Sequence, residues 1–333
     1  MFEWQQQIQI ITDEIDQCIK NYNDEALTLR MLAKRLGYSE FYTTRKFKQI
    51  TGMQFKDYLR CRKLAFALKE IRDSDKRIMQ IALDYGFSSH EAFTRAFKNT
   101  YGVTPSHYRA NPQAVILRTK IQPFDRYFLG LQEIGMMKSS ASIKIYFVTI
   151  PAHKFLYISN YVSNGYWDFW QKQSLKQGQD QDTVCGYLDS IKGKLDDGGG
   201  SETNSSSGQI MAYIIDPGGR LCDCGIERVE CYGVRLPANY HGVIPPHFQL
   251  RDVLSAEYIV FEHGPFDYDQ ENRSVEEQME KAMADFDYTE TDYVPDLTPG
   301  RIIYFYFDPV KGWKYIRPVK RQADKEHYNE KMV

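Results

Sequence analysis

Residues 37–48 read Gly37-Tyr38-Ser39-Glu40-Phe41-Tyr42-Thr43-Thr44-Arg45-Lys46-Phe47-Lys48, followed by Gly52 and Tyr58. Residues 86–108 repeat the pattern: Gly86-Phe87-Ser88, then Arg95-Ala96-Phe97-Lys98, Gly102 and Tyr108. Each copy follows an apolar pair, Leu32-Ala33 or Ile81-Ala82. The spacings agree except for one extra residue between serine and arginine in the second copy. An internal repeat of about 50 residues denotes two similar supersecondary units in tandem.

The residues of one copy spell out its local structure. Thr28 is suited to cap a short helix that puts Leu29, Leu32, Ala33 and Leu36 on one face. Gly37 then supplies the left-handed turn that ends it. Ser39 caps a second helix with Tyr42, Phe47 and Ile50 inward and Phe41, Thr44, Arg45 and Lys48 outward. Helix, glycine turn and capped helix with a basic free face form the helix-turn-helix pattern, whose second helix is sized for a major groove. In the second copy Ile78, Ile81, Ala82 and Tyr85 make the first helix, and Gly86 turns. Ser88 is read as the cap, with Glu91 completing a capping box. Phe93 and Phe97 face inward, while His90, Glu91, Thr94, Arg95 and Lys98 are left outward. Pro105 opens a closing helix.

Residues 55–71 lie between the copies with helical apolar spacing and no internal proline or glycine. About 17 helical residues make a stiff spacer of about 25 Å. It is suited to hold two recognition helices about 34 Å apart, one turn of B-DNA. Charge supports the division. Residues 1–110 hold 18 Lys and Arg against 13 Asp and Glu, a balance of +5, and the rest holds 24 against 31, or −7, giving the net −2 of the chain. A basic N-terminal third is the electrostatic footprint of a DNA binder. An acidic remainder suits a cationic or neutral ligand.

Residues 4–110 resemble the DNA-binding domain of the AraC/XylS family of transcription regulators. The resemblance is carried by Leu32-Ala33, Gly37-Tyr38-Ser39, Arg45-x-Phe47-Lys48, Gly52, Tyr58, Arg62, Ile81-Ala82, Gly86-Phe87, Phe93, Arg95-x-Phe97-Lys98, Gly102 and Pro105-x-x-Tyr108. It implies base-reading positions at Phe41, Thr44, Arg45 and Lys48 in the first unit and at His90, Glu91, Thr94 and Arg95 in the second. Glu91 has two readings: acceptor from a cytosine N4, or cap of its own helix. Phe47, Phe93 and Phe97 read as core. Lys34, Arg35, Lys46 and Arg60 read as phosphate contacts or solvated charge.

Beyond a connector at 111–142, the pattern changes to strands: 143–150 and 155–159, then a helix from Tyr166 to about Lys176. A polar loop, 196–208, precedes strands near 209–215, 227–235 and 256–262, a helix at 274–286, and a hairpin of 301–307 with 313–318. Strand, strand, helix, strand, strand, stated twice, predicts an α+β domain over 143–320 with a cleft between its halves and a tail at 321–333. Ile150-Pro151-Ala152-His153-Lys154, residues 230–237, 261–266 and Ile316-Arg317-Pro318-Val319 resemble the GyrI-like effector-binding domain found behind AraC-type domains. Members of that family often carry a cation-binding glutamate near the penultimate strand; here that stretch, 302–307, has no acid. Trp170, Tyr213, Glu230, Tyr232, Tyr304, Tyr306 and Trp313 are the candidate ligand residues, with Glu230 the acidic one.

Cys18 and Cys61 fall on apolar helix faces and read as buried thiols. Cys185, Cys222, Cys224, Cys231 and His241 match no zinc spacing, so no metal or cofactor is expected. No apolar run reaches 18 residues, and the start reads as no signal peptide; the expected location is cytoplasmic, with no membrane partner. His153, His241, His247 and His263 fit no nucleophile–base set, so catalysis is not expected. The expectation is an all-α double helix-turn-helix domain joined to an α+β domain. It would bind double-stranded DNA at a non-palindromic site across two successive major grooves, respond to a small organic effector, and act on RNA polymerase. Two alternatives are a C-terminal domain that serves protein contacts alone and a GyrI-like hydrolase.

Overall fold

A computed structural model describes residues 2–22, 27–121, 123, 143–195, 208–222 and 225–322. Its contacts separate two units, 1–131 with 182–192 and 132–181 with 193–333.

The first unit is helical. Helix α1, Phe2–Lys20, buries Ile8, Ile11, Ile15 and Ile19, a stripe at helical spacing. Helix α2, Leu29–Leu36, starts at Thr28, whose hydroxyl accepts from the Met31 N–H, and ends at Gly37 with φ +73°. Helix α3, Glu40–Thr51, starts at Ser39 and ends at Gly52. Helix α4, Phe55–Asp73, is a 19-residue helix that buries Phe55, Tyr58, Leu64, Ala65, Leu68 and Ile71. Helices α5, Ile78–Asp84, α6, His90–Tyr101, and α7, Pro105–Ala110, follow, with Gly86 turning at φ +74° between α5 and α6. One core gathers the buried side of all seven, including Phe47, Tyr58, Phe93, Phe97 and Tyr108.

One detail of the repeat is corrected. The cap of α6 is Ser89, whose hydroxyl accepts from the Ala92 N–H, rather than Ser88. The extra residue therefore lies in the turn, and α3 and α6 are both 12 residues long at a constant offset of 50. With Ser89 as cap, Glu91 stands two residues on, and the Ser88–Glu91 capping box does not form.

Two segments of the connector and of the following region complete this unit. Val115 and Leu117 are buried in the helical core. Helix α8, Tyr166–Gln173, is shorter than expected, and a further helix, α9, Gln181–Ser190, was not anticipated. Residues 182–192 group with the helical unit although the sequence reading placed them within 143–320. The Leu117 N–H donates to the Gly186 carbonyl at 3.2 Å, and the Val115 N–H to the Ser190 hydroxyl at 3.0 Å. A Cβ at Gly186 would come within 2.5 Å of the Leu117 carbonyl, so only glycine permits this approach. Arg72 of α4 donates to the Ser190 and Ile191 carbonyls, and Lys69 pairs with Asp189 at 3.3 Å. The remainder of the connector, 122 and 124–142, lies outside the described residues, as do 196–207 and 323–333.

The second unit is an antiparallel sheet. Its strands are β1 Lys144–Ile150, β2 His153–Asn160, β3 Gln209–Leu221, β4 Glu227–Pro237, β5 Gln249–Val253, β6 Ala256–His263, β7 Tyr293–Pro295, β8 Ile302–Asp308 and β9 Gly312–Arg321. The order is β1-β6-β9-β8-β3-β4-β2-β5, with β7 beside β9. Strands β5 and β7 are additions to the expectation. The helix foreseen at 274–286 is α10, Tyr268–Ala284. The doubled pattern is present, but each edge strand pairs into the other half, β1 on β6 and β5 on β2. The halves meet in a ladder from Met211↔Phe305 to Ile214↔Ile302, so at the level of the sheet they are joined where a cleft was expected. Strands β2 and β8 are three positions apart, yet His153 Nε2 and Tyr304 Oη lie 2.6 Å apart. Flat strands at about 4.8 Å spacing would hold them much farther apart, so the sheet curls around this face.

Candidate nucleic-acid interface

Helices α3 and α6 present the same surface twice. From 41 to 49 and from 91 to 99 the sequence of exposed, half-buried and buried positions is identical. Thr43 and Phe47 point inward in the first helix and Phe93 and Phe97 in the second. The outward set is Phe41, Thr44, Arg45 and Lys48 in the first helix and Glu91, Thr94, Arg95 and Lys98 in the second, with His90 half-buried at the front of α6. Phe41 is 78% exposed, unusual for a phenylalanine in a stable core. Phe41, Thr44, Arg45 and Lys48 share one surface groove with Leu29, Glu40 and Gln54.

Charge is available on this surface. Arg45, Lys48, Arg95 and Lys98 have no ion-pair partner among the described residues. Arg45 lies over the Tyr42 ring at 5.8 Å, which orients it without neutralising it. The other basic candidates divide. Arg35 pairs with Glu14 and Arg60 with Asp57, whereas Lys46 rests over the Trp4 and Tyr42 rings. Thr44 donates to the Glu40 carbonyl of its own helix at 2.8 Å. The Glu91 carboxyl is held below the usual range by its own backbone N–H and by the Ser89 hydroxyl. Cys18 and Cys61 are half-buried where full burial was expected, and burial pushes both thiols up. Among the described residues no group of three or more His, Cys, Asp or Glu stands close enough to hold a metal, and no helix is long and apolar enough to cross a membrane.

The seven ligand candidates of the second unit fall on two opposite sheet faces. Tyr304 and Tyr306 lie on the curled face with Ala212, Cys231 and Ile316. Tyr213, Glu230 and Tyr232 lie on the other, where Trp170 of α8 meets Tyr232 at 4.8 Å. Trp313 shares that face but is buried with Phe261, Val275 and Met279, under α10. Glu230 is 2% exposed, and its two oxygens accept from the Ser163 hydroxyl at 2.6 Å and the Gly165 N–H at 2.8 Å. Its charge is thus used to hold the loop that starts α8. Tyr213 is covered by the Arg228 guanidinium at 3.9 Å.

His153, which fits no catalytic pattern in the sequence, has a structural role. Burial, together with the nearby Arg235 cation, lowers its pKa to about 4, against the support of the Pro151 carbonyl. A neutral ring donates from Nδ1 to Pro151 O at 2.8 Å and accepts at Nε2 from Tyr304. The unfolded chain binds this proton near pH 6.5 and the folded chain only near pH 4. The contribution is therefore complete above pH 6.5 and lost as pH falls toward 4, by about 3 kcal/mol. Urea unfolding at pH 7 and pH 4.5 should show a steeper acid loss in the wild type than in His153→Gln; equal slopes would refute this account.

Comparison with known proteins agrees with the geometry. A family model described as a helix-turn-helix domain matches residues 32–111. The chain is 43% identical over 93 residues to the Transposon Tn10 TetD protein of Escherichia coli, covering 28% of this chain and 67% of that one. It is 37% identical over 105 residues to the regulatory protein SoxS of Salmonella typhimurium, covering 32% of this chain and 94% of that protein. The right origin-binding protein of Escherichia coli matches at 37% over 95 residues, 28% of this chain and 33% of that one. The family-model match spans both capped helices, and with these relatives it shows that the chain belongs to the AraC family of helix-turn-helix DNA-binding transcription regulators.

Proposed function

We propose that α3 and α6 read two successive major grooves from one chain, and that the sheet unit senses a small organic molecule that adjusts this binding. The observation that carries the first half is the matched outward surface of the two helices, with Arg45 and Arg95 at equivalent positions and without an ion-pair partner among the described residues. A 19-residue spacer helix of about 28 Å suits two readers on one face of a duplex. The two surfaces differ at one flank, Glu40-Phe41 against His90-Glu91. The proposed operator is accordingly non-palindromic, with phosphate contacts setting register and base contacts setting sequence. RNA polymerase is the proposed further partner through which DNA binding becomes regulation.

Arg45→Ala and Arg95→Ala should each weaken specific binding by about 1–3 kcal/mol and relax preference at one half of the site. Lys48→Ala should weaken all sequences alike and reduce the salt slope by about one. Fluorescence anisotropy at fixed salt on a selected operator checks both. Unchanged affinity in both arginine variants would sink the assignment.

The resemblance of the sheet unit to GyrI-like domains supports the sensing half. Thermal shift of the full chain against a library of charged and aromatic compounds tests it. No stabilising compound in a broad set would favour a unit that serves protein contacts alone.

A further inference from the structure

The second unit buries a cation that has no counter-ion among the described residues. Arg235 of β4 is 0% exposed, and its Nε, Nη1 and Nη2 atoms all lack a hydrogen-bond partner. Its guanidinium lies 5.4 Å from the Tyr304 ring centre and 5.7 Å from that of Tyr306. Aromatic faces attract a cation, but they satisfy none of its five directional N–H donors. Burying such a charge unpaired is strongly unfavourable, and proteins rarely tolerate it without a purpose.

A second arginine stands on the same face. Phe155 of β2 pairs with Arg235 on one side and with Arg251 of β5 on the other, so the two cations flank one aromatic ring. Arg251 is half-buried, hydrogen-bonds the Tyr157 side chain and acts electrostatically on Tyr304, and it has no carboxylate partner among the described residues. Among the described residues, Asp296, which like Arg235 acts on Tyr258, is engaged by Arg301 at 2.6 Å, and Glu262, farther along the same face, by Lys314 and Tyr146. Tyr306, next to Arg235, is half-buried and pairs with Lys314 toward the hairpin end of the sheet. Two unneutralised guanidinium groups, aromatic walls and an orphaned planar fork describe the complement of a planar anion. A guanidinium fork matches a carboxylate in a bidentate manner, and the aromatic walls suit a flat apolar body.

We propose that the curled face of the sheet binds a small aromatic carboxylate, with Arg235 as its bidentate partner and Arg251 as a second cation. This deepens the sensing function proposed above and rests on it. It reverses the charge expected of the effector from the acidic balance of residues 111–333. Net charge acts at long range, whereas the ligand meets the local potential of two arginines. Like charge at this site disfavours a cationic ligand.

The test uses the full chain and three probes of one shape: benzoate, benzamide and benzylamine. Calorimetric titration should show benzoate binding at least tenfold tighter than benzamide, with no benzylamine binding. Arg235→Met, which keeps the length but removes the charge, should abolish benzoate binding and raise the thermal midpoint of the unliganded protein. Arg251→Gln, at a half-exposed position, should weaken benzoate about tenfold with the fold intact. It keeps the proposal falsifiable if Arg235→Met fails to fold. Equal affinity for benzoate and benzamide, or benzoate binding unchanged in Arg251→Gln, would overturn the proposal. So would no binding of any probe. Binding of benzylamine alone would overturn the carboxylate while leaving effector sensing supported.

Discussion

Phe97→Ala should cost the helical unit about 3–5 kcal/mol and remove specific DNA binding at 37 °C. Phe97 is completely buried. Its ring meets Phe93 at 5.7 Å, Tyr101 at 4.9 Å and Tyr108 at 6.1 Å, the last from α7. The side chain therefore ties α6 to the closing helix α7, and truncation leaves a cavity between two elements that cannot both collapse into it. The outward residues of α6 need this inward anchor to hold their angle. Native-state hydrogen exchange of the α6 amides should report the loss directly. Phe47 is the equivalent residue of α3, meeting Phe55 and Tyr58 at 5.5 Å each, and Phe47→Ala should behave alike. A Phe97→Ala protein with protection and operator affinity within a factor of about three of wild type would contradict this role.

Arg62→Ala should cost a comparable amount, about 3–5 kcal/mol, for a different reason. Arg62 of α4 is 7% exposed and grips Asp16 of α1 in a bidentate pair, Nε to Oδ1 at 2.8 Å and Nη2 to Oδ2 at 2.5 Å. Its Nη1 donates to the Arg118 carbonyl, and its guanidinium lies 5.1 Å from the Phe66 ring centre. One side chain thus joins α1, α4 and the segment after α7. Removing it strands a half-buried carboxylate and a carbonyl, and the loss of their partner is what costs stability. Replacing both members, as Arg62→Met with Asp16→Leu, removes the stranded charge and should recover most of the loss. A double-mutant cycle read by urea unfolding checks this. A double variant no more stable than Arg62→Ala would show that the arginine contributes through its contacts with Phe66 and Arg118 instead.

Helices α3 and α6 were legible because their signals are local. A serine accepting from an N–H three residues on, a glycine at φ near +73°, and apolar residues at helical spacing are all set within one turn of chain. The single error there, Ser88 for Ser89 as cap, arose because adjacent serines offer the same chemistry. Only the helix start chooses between them. Helix α9 was missed because its sequence, Gln181–Ser190, has a mixed face and a glycine at its middle. That glycine reads as a helix breaker until the Leu117 backbone is seen against it. The ligand candidates were gathered by residue type. Strand alternation then divided them between two faces, because a ladder register sends neighbours to opposite sides.

The sequence by itself determined that this chain is a tandem helix-turn-helix protein, where the two outward surfaces lie, and that a strand-rich unit follows. Those features depend on short-range spacing and capping, which neighbouring residues decide together. Tertiary structure alone decided the exchange of edge strands between the two halves, the commitment of Glu230 to the 163–165 loop, and the isolation of Arg235. Each depends on partners that folding brings together from 65 to 151 residues away, as with Glu230 and Gly165, or Tyr304 and His153. Nothing in the residues flanking an arginine in a strand tells whether folding will bring it a carboxylate. Here the sheet curled around Arg235 and brought tyrosines.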